Sequence, residues 1–320
     1  MTTTATLPAP DANIPDSARI STVSVIGLGH MGSAIAHNLL ADGLDLIVHD
    51  RDAQRCSALV AAGARAAAEL CDLADADVVI TSLPNDEIVS NLVFARDGLI
   101  DVLKTDAVHI SMSTISPGLS RRMAEDHAHS GQGYVAAPVL GNPDLAAARK
   151  LFVLASGEAA TVARVTPLLA RLGQQVFDLG ENAAAANLMK LAGNVLTAQT
   201  LQGMGEVIAL LRKAGVDPHR AFAVLTGSLF DGKVHKTYGG KIVEERYSPP
   251  GMTAPLAVKD LRLALAEAEV AGVPMPTASL VHDRLVALVA RGWAALDWSA
   301  LGALAAADAG LPLMLDAAAR

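Results

Sequence analysis

Aromatic residues are scarce: two Trp, three Tyr and five Phe make up 3% of the 320 residues. Positive charge is scarce too, with 25 Lys and Arg against 33 Asp and Glu for a formal net charge of −8. A nucleic-acid-binding surface wants a basic stripe and rings that stack on bases, and this chain offers neither. Cysteine occurs only twice, at Cys56 and Cys71. Two are too few for a disulfide framework, so a reducing, cytoplasmic setting is expected. Apolar runs are always broken by a charge or a strong polar residue before they reach the roughly eighteen residues of a membrane helix. Residues 1–19 have neither the basic start nor the apolar run of a signal peptide, and their Pro, Thr and Asp read as a disordered tail. No repeat is visible. The histidines are scattered; His127 and His129, two apart on an expected helix, cannot share a metal, so no metal site is assigned.

Aliphatic residues are abundant. Hydrophobic residues reach 52% and charged residues only 18%, which excludes global disorder and supplies enough core for one large or two ordinary domains. From Thr22 the pattern alternates β-branched runs with helical stretches. Strands are expected at Val23–Ile26, Leu44–His49, Val78–Ser82, Val108–Ser111 and Tyr134–Ala137, and two more at Leu151–Ala155 and Gln175–Phe177. Helical patterns lie between them, at Ser33–Leu40, Ala53–Ala62, Leu119–His129 and Ala159–Leu172. This order predicts right-handed βαβ units and a parallel sheet. After Gly180 the texture changes. A long helix is expected over Asn182–Ala214, followed by helices near Pro218–Leu225, Leu256–Ala271 and Thr277–Ala290. The expected architecture is a Rossmann-type α/β domain at 20–180 and an all-α substrate and dimerisation domain at 181–320, joined by that helix. Its length, and the Ala- and Leu-rich segments after it, predict a homodimer or a higher homo-oligomer.

The sharpest motif is Gly27-Leu28-Gly29-His30-Met31-Gly32, set between an apolar strand and a helix. In G-x-G-x-x-G the first glycine permits a tight turn. The second lets a pyrophosphate approach the backbone, and the third lets helix pack on strand. The helix start turns free N–H groups and a positive dipole end toward phosphate. Asp50, 18 residues past Gly32, ends the second strand and can accept from ribose hydroxyls. As bland readings, Asp50 is a strand-end turn residue and Asp52 a helix N-cap.

Several ordered segments together resemble the β-hydroxyacid dehydrogenases, a family that includes 3-hydroxyisobutyrate and 6-phosphogluconate dehydrogenases and has imine reductases as relatives. They are Gly27–Leu40, Ser82-Leu83-Pro84, Ser113-Thr114-Ile115-Ser116-Pro117, Lys190 with Asn194, and Lys259-Asp260-Leu261. The resemblance runs from Thr22 to about Ala290. It implies a nicotinamide cofactor held by residues 27–32, Asp50, Arg51, Leu83, Pro84, Thr114 and Lys259. It also implies a substrate pocket that includes Ser113 and Leu140-Gly141-Asn142, in the cleft between the domains.

Lys190 and Asn194 are four residues apart and share a helix face, with Ala183, Ala186, Asn187 and Thr197 around them leaving room for a ligand. A lysine ammonium is a compact acid whose pKa falls on burial, so Lys190 can serve as general acid or base, with Asn194 holding the lysine or the substrate oxygen. On its residues alone, Lys190 reads first as a surface lysine of a long amphipathic helix, and the ordered family segments turn that reading toward catalysis. The Lys233, His235, Lys236 and Lys241 cluster reads first as a solvated face, second as a contact for an anionic substrate or partner. The sequence departs from the family at two places, one of them the run Ala183 to Ala186, where glycines usually precede the lysine. Where the family has a serine and glycines that hold the substrate carboxylate, this chain has Leu140, Gly141 and Asn142.

These readings predict hydride transfer between a nicotinamide and a small hydroxy acid or semialdehyde. Reduction of an imine or apolar ketone stands as the second reading and a non-catalytic dinucleotide-binding protein as the third. For the cofactor, Asp50 and Asp52 flank Arg51 and repel a 2′-phosphate, so NAD(H) is favoured over NADP(H).

Overall fold

The structure, a computed structural model, describes residues 20–313. The expected tail at 1–19 lies outside the described residues. Six strands run parallel: β1 (Thr22–Ile26), β2 (Asp45–His49), β3 (Arg65–Ala66), β4 (Val78–Thr81), β5 (Val108–Ser111) and β6 (Gly133–Ala136). Their spatial order is β3-β2-β1-β4-β5-β6, with crossover helices on both faces. That is the doubly wound Rossmann arrangement. The β4 segment VVIT is buried throughout, as a central parallel strand covered on both faces requires. Its period of two sorts Val78 and Ile80 into one core cluster, with Val23, Val25, Ile35 and Leu39, and Val79 into the other, with Val89, Val93 and Met123.

Past β6 the chain departs from the parallel pattern. Pro138 leads directly into β7 (Val139–Leu140), and β8 (Leu151–Gly157) returns antiparallel to both β6 and β7. The residues between β7 and β8 are too few for a crossover helix of the βαβ kind, so the return must be antiparallel. The helix Ala159–Leu169 then restores a parallel connection to β9 (Gly173–Asp178) on β8. The two-residue strands β3 and β7 were not anticipated, and the helix expected at 53–62 is divided. Asp52 caps a 3₁₀ turn at Ala53–Cys56 by accepting from the Gln54 N–H, and Ser57–Ala61 follows.

From Ala184 the described residues are helical, with an isolated bridge between Thr253 and Asp297. The helix Ala184–Lys213 has 30 residues and spans ~45 Å. Leu191, Val195, Ala198, Leu201 and Ile208 form its buried stripe. It crosses the helix Leu301–Asp308 so closely that a Cβ on Gly205 would lie 2.8 Å from the Gly302 Cα, which is why a glycine sits mid-helix. The helices Pro218–Thr226, Ala254–Val270 and Pro276–Ala290 match their sequence patterns to within a few residues. The cluster from Lys233 lies on a further helix, Lys233–Val243, outside the helices that the sequence pattern predicts.

Candidate active site

The glycine loop is built as its spacing demands. Gly27 has φ +89°, and a Cβ there would lie 2.5 Å from the Ser82 carbonyl oxygen. A Cβ on Gly32 would sit 1.9 Å from the Gly27 oxygen, so strand and helix close only around glycine. At Gly29 a Cβ would meet nothing within 4 Å, which leaves open space above the loop. Gly29 is the N-cap of the helix His30–Ala41 and provides no side-chain cap, so the first-turn N–H groups face that space. His30 is exposed and Met31 half-buried beside it. An open cradle at a helix N-terminus, bounded by glycines, fits a dinucleotide pyrophosphate.

At the end of β2, Asp50 accepts from the Leu28 N–H at 2.7 Å and from the Asp52 N–H at 2.9 Å. A carboxylate has about four acceptor sites, so capacity for ribose hydroxyls remains. Arg51 is exposed. Arg55, which sequence reading overlooked, stands 3.8 Å from Asp50 and 3.6 Å from Asp52. The signal for it was its position three residues after an N-cap aspartate, on the inner side of the turn.

The loops after β4 and β5 meet each other. The Ser113 hydroxyl accepts from the Leu83 N–H at 2.8 Å and is buried, so it braces Ser82-Leu83-Pro84 from beneath. Lys259, on the helix Ala254–Val270, donates to the Pro84 carbonyl at 3.0 Å and to the Thr114 carbonyl at 2.5 Å. The helical region thus clasps both cofactor-side loops through one ammonium.

Lys190 donates to the Asn194 Oδ1 at 3.3 Å, and the Asn194 Nδ2 donates to the Asp260 Oδ2 at 2.5 Å. The other Asp260 oxygen is 3.0 Å from the Lys259 Nζ. A carboxylate can only accept, so Asp260 fixes the Asn194 amide with its oxygen toward Lys190. One polar chain therefore runs Lys190, Asn194, Asp260, Lys259, and ends on the loops at Pro84 and Thr114. Asp260 was missing from the sequence-derived site. Its signal was legible: a carboxylate in the stripe Ala257, Asp260, Leu261, Ala264, where an unpaired charge is not tolerated. Burial pushes the Lys190 ammonium below the ordinary lysine value. Asp260 opposes that shift and Lys259 reinforces it. Asn187, one turn before Lys190, is fully buried, and neither atom of its amide has a hydrogen-bond partner.

Leu140 is half-buried at the end of β7 and packs on the long helix, where a Cβ on Gly193 would lie 3.1 Å from its Cδ2. It therefore covers the helical turn between Lys190 and Asn194. Gly141 has φ +149° and no room for a Cβ beside Leu151. The Asn142 Oδ1 accepts from the Leu145 N–H at 2.9 Å, capping the helix Pro143–Ala147. Its carbonyl oxygen thus serves the backbone.

A glycine cradle at a helix N-terminus, followed by an acid at the end of the second parallel strand, is the arrangement of a nicotinamide-dinucleotide oxidoreductase, and the half-buried Lys190 is tied to the loops after β4 and β5 through Asn194, Asp260 and Lys259. Residues 22–180 match the NAD-binding domain of 6-phosphogluconate dehydrogenase, and residues 184–305 the NAD-binding domain of NADP-dependent 3-hydroxyisobutyrate dehydrogenase. The chain is 39% identical to an oxidoreductase of Bacillus subtilis over 87% of its length and 98% of that protein. It is 33% identical to 3-sulfolactaldehyde reductase of Escherichia coli over 88% and 95%. The solved structure of 3-hydroxyisobutyrate dehydrogenase from Mycobacterium tuberculosis with L-serine superposes with a TM-score of 0.80 at 27% identity, over 89% of this chain and 99% of that one. The chain belongs to the β-hydroxyacid dehydrogenase family and is an NAD(P)-dependent oxidoreductase.

Proposed function

We propose that this enzyme transfers hydride between NAD(H) and a small hydroxy acid or its semialdehyde, with Lys190 as general acid and base. The observation that carries the reading is the chain Lys190–Asn194–Asp260, which holds a partly buried lysine at the domain cleft with its ammonium directed by an acceptor. When bound, the nicotinamide supplies or accepts the hydride. Residues 27–32 would hold the pyrophosphate, Asp50 the adenosine ribose, and Leu83, Pro84 and Thr114 the nicotinamide side. In oxidation, neutral Lys190 takes the proton of the substrate hydroxyl. In reduction, its ammonium donates a proton to the carbonyl oxygen. A lysine with a lowered pKa holds both forms accessible nearer neutrality than a solvated one.

The NAD preference rests on Asp50 and Asp52 at the end of β2; Arg55 tempers their charge without removing it. The working unit is a homodimer, supported by apolar side chains left exposed on the helical region: Leu196 at 64%, Leu210 at 67%, Val224 at 69% and Leu229 at 92%.

A panel of hydroxy acids, semialdehydes, apolar ketones and cyclic imines, read by nicotinamide absorbance with NAD(H) and NADP(H), tests the reading. Turnover concentrated on the acids and semialdehydes is expected. Turnover confined to imines or ketones would replace it with the second reading, which the apolar Leu140 favours. Cofactor binding with no turnover at all would support the third.

A further inference from the structure

The cluster Lys233, His235, Lys236 and Lys241 is not one surface. Lys236 pairs with Asp231, and Lys241 pairs with buried Asp297 at 2.8 Å. The His235 ring lies 5.5 Å from the Phe230 ring. Lys233 alone leans the other way. It opens the helix Lys233–Val243, and its Nζ stands 5.2 Å from the ring centroid of Phe152, a residue of the sheet domain. No carboxylate pairs with Lys233 among the described residues.

Phe152 leads to the reacting end of the cleft. It is the register partner of Leu140 in the antiparallel β7–β8 pair, and directly opposed residues point to the same face. Leu140 in turn covers Gly193, in the turn between Lys190 and Asn194. Successive contacts thus run from Lys233 through Phe152 and Leu140 to Gly193, one turn from Lys190. Along that path the serine hydroxyl that donates to a substrate carboxylate in the family is gone. Leu140 has no hydroxyl, and the Asn142 carbonyl oxygen caps a helix.

We propose that Lys233 recognises the anionic group of the substrate, a carboxylate or sulfonate carried a few bonds from the carbinol or aldehyde carbon that reacts at Lys190. This rests on the function proposed above and names its substrate class: hydroxy acids bound through a flexible lysine. An ammonium over an aromatic face keeps N–H donors free, and as a point charge it accepts an anion over a range of approach angles. Phe152 and Leu140 cover the apolar middle of such a substrate and exclude water from one side of the ion pair.

The test uses 3-hydroxy-2-methylpropanoate and its methyl ester, which differ only in charge at the far end, with wild type, Lys233→Met and Lys233→Arg. For the acid, Lys233→Met should raise KM by at least about tenfold, corresponding to about 1.4 kcal/mol, and leave kcat within about twofold, as expected when binding common to ground and transition states is lost. The ester's KM should not move, and Lys233→Arg should stay near wild type on both. Added salt should raise KM for the acid in wild type and not in Lys233→Met. An equal change on acid and ester, or none, overturns the role of Lys233 and leaves the hydroxyacid reading standing. Failure of the wild type to turn over any hydroxy acid or semialdehyde in the panel overturns that reading, and this inference with it.

Discussion

A lysine exchanges protons near neutrality only where its ammonium is made less comfortable without losing every partner. Lys190 meets both conditions. Burial lowers its pKa, and the amide oxygen of Asn194, aimed by Asp260, keeps the charged form bound. Lys190 and Asn194 were legible through the family resemblance, with a spacing of four that places them on one helix face. Asp260 lies 66 residues from Asn194 in sequence, and only the fold pairs them. At the end of β2 the legible part was Asp50 and Asp52; the contribution of Arg55 depends on the path of the 3₁₀ turn. Replacing Asp50 by Asn together with Asp52 by Thr removes the repulsion toward a 2′-phosphate. The ratio of kcat/KM for NADPH over NADH should rise at least roughly tenfold, about 1.4 kcal/mol. A wild type that already favours NADPH would show that the guanidinium charge of Arg51 and Arg55 dominates there. The oxidation rate should increase with pH through a pKa below the ordinary lysine value, and that limb should vanish in Lys190→Met.

Elements were legible where a single period ran unbroken. The strands β1, β2, β4 and β5 are rich in buried β-branched residues, and two of the crossover helices have capped starts, with Asn85 accepting from the Ile88 N–H and Ser116 from the Leu119 N–H. The helix Lys233–Val243 was not legible because lysines, a histidine and two glycines interrupt its stripe. Val234, Tyr238 and Ile242 recur every four residues and pack into the helical core, so tertiary contacts decide the helix rather than composition. β7 is two residues long and exists only because β8 returns beside it. Asp77, just before β4, ties that strand to the start of β1. It accepts from the Ser21 N–H at 2.8 Å, the Thr22 N–H at 3.1 Å and Lys104 at 2.8 Å. Burial works against its ionised form, but these donors outweigh it and hold the carboxyl well below the usual carboxylate range. A carboxyl with a depressed folded pKa stabilises the protein above its unfolded pKa, and that gain fades as pH falls toward the folded value. Asp77→Asn should therefore cost about 1–3 kcal/mol in a denaturant titration at neutral pH. The gap to wild type should narrow steadily in acid; a gap that stays constant would show that the ionised carboxylate is not what joins the strands.

Across the whole molecule the long helix does two tasks. Its first turns carry Lys190 and Asn194 to the carboxyl ends of the parallel strands, and its later turns form the spine of the helical core. Its exposed Leu196 and Leu210, with Val224 and Leu229 nearby in the helical region, motivate the dimer. Light scattering at micromolar concentration should report twice the chain mass, and a monomer would refute the assembly. The cleft itself is tested most directly at Lys190. On the best substrate of the panel, Lys190→Ala should lower turnover by roughly 10²–10⁴-fold, the range of a general acid–base group. Cofactor affinity, measured by calorimetry on the same preparations, should stay near wild type, because the proposed dinucleotide site is the glycine cradle and Asp50, away from Lys190. Turnover undiminished in Lys190→Ala would contradict the account, since some other group would then be moving the proton.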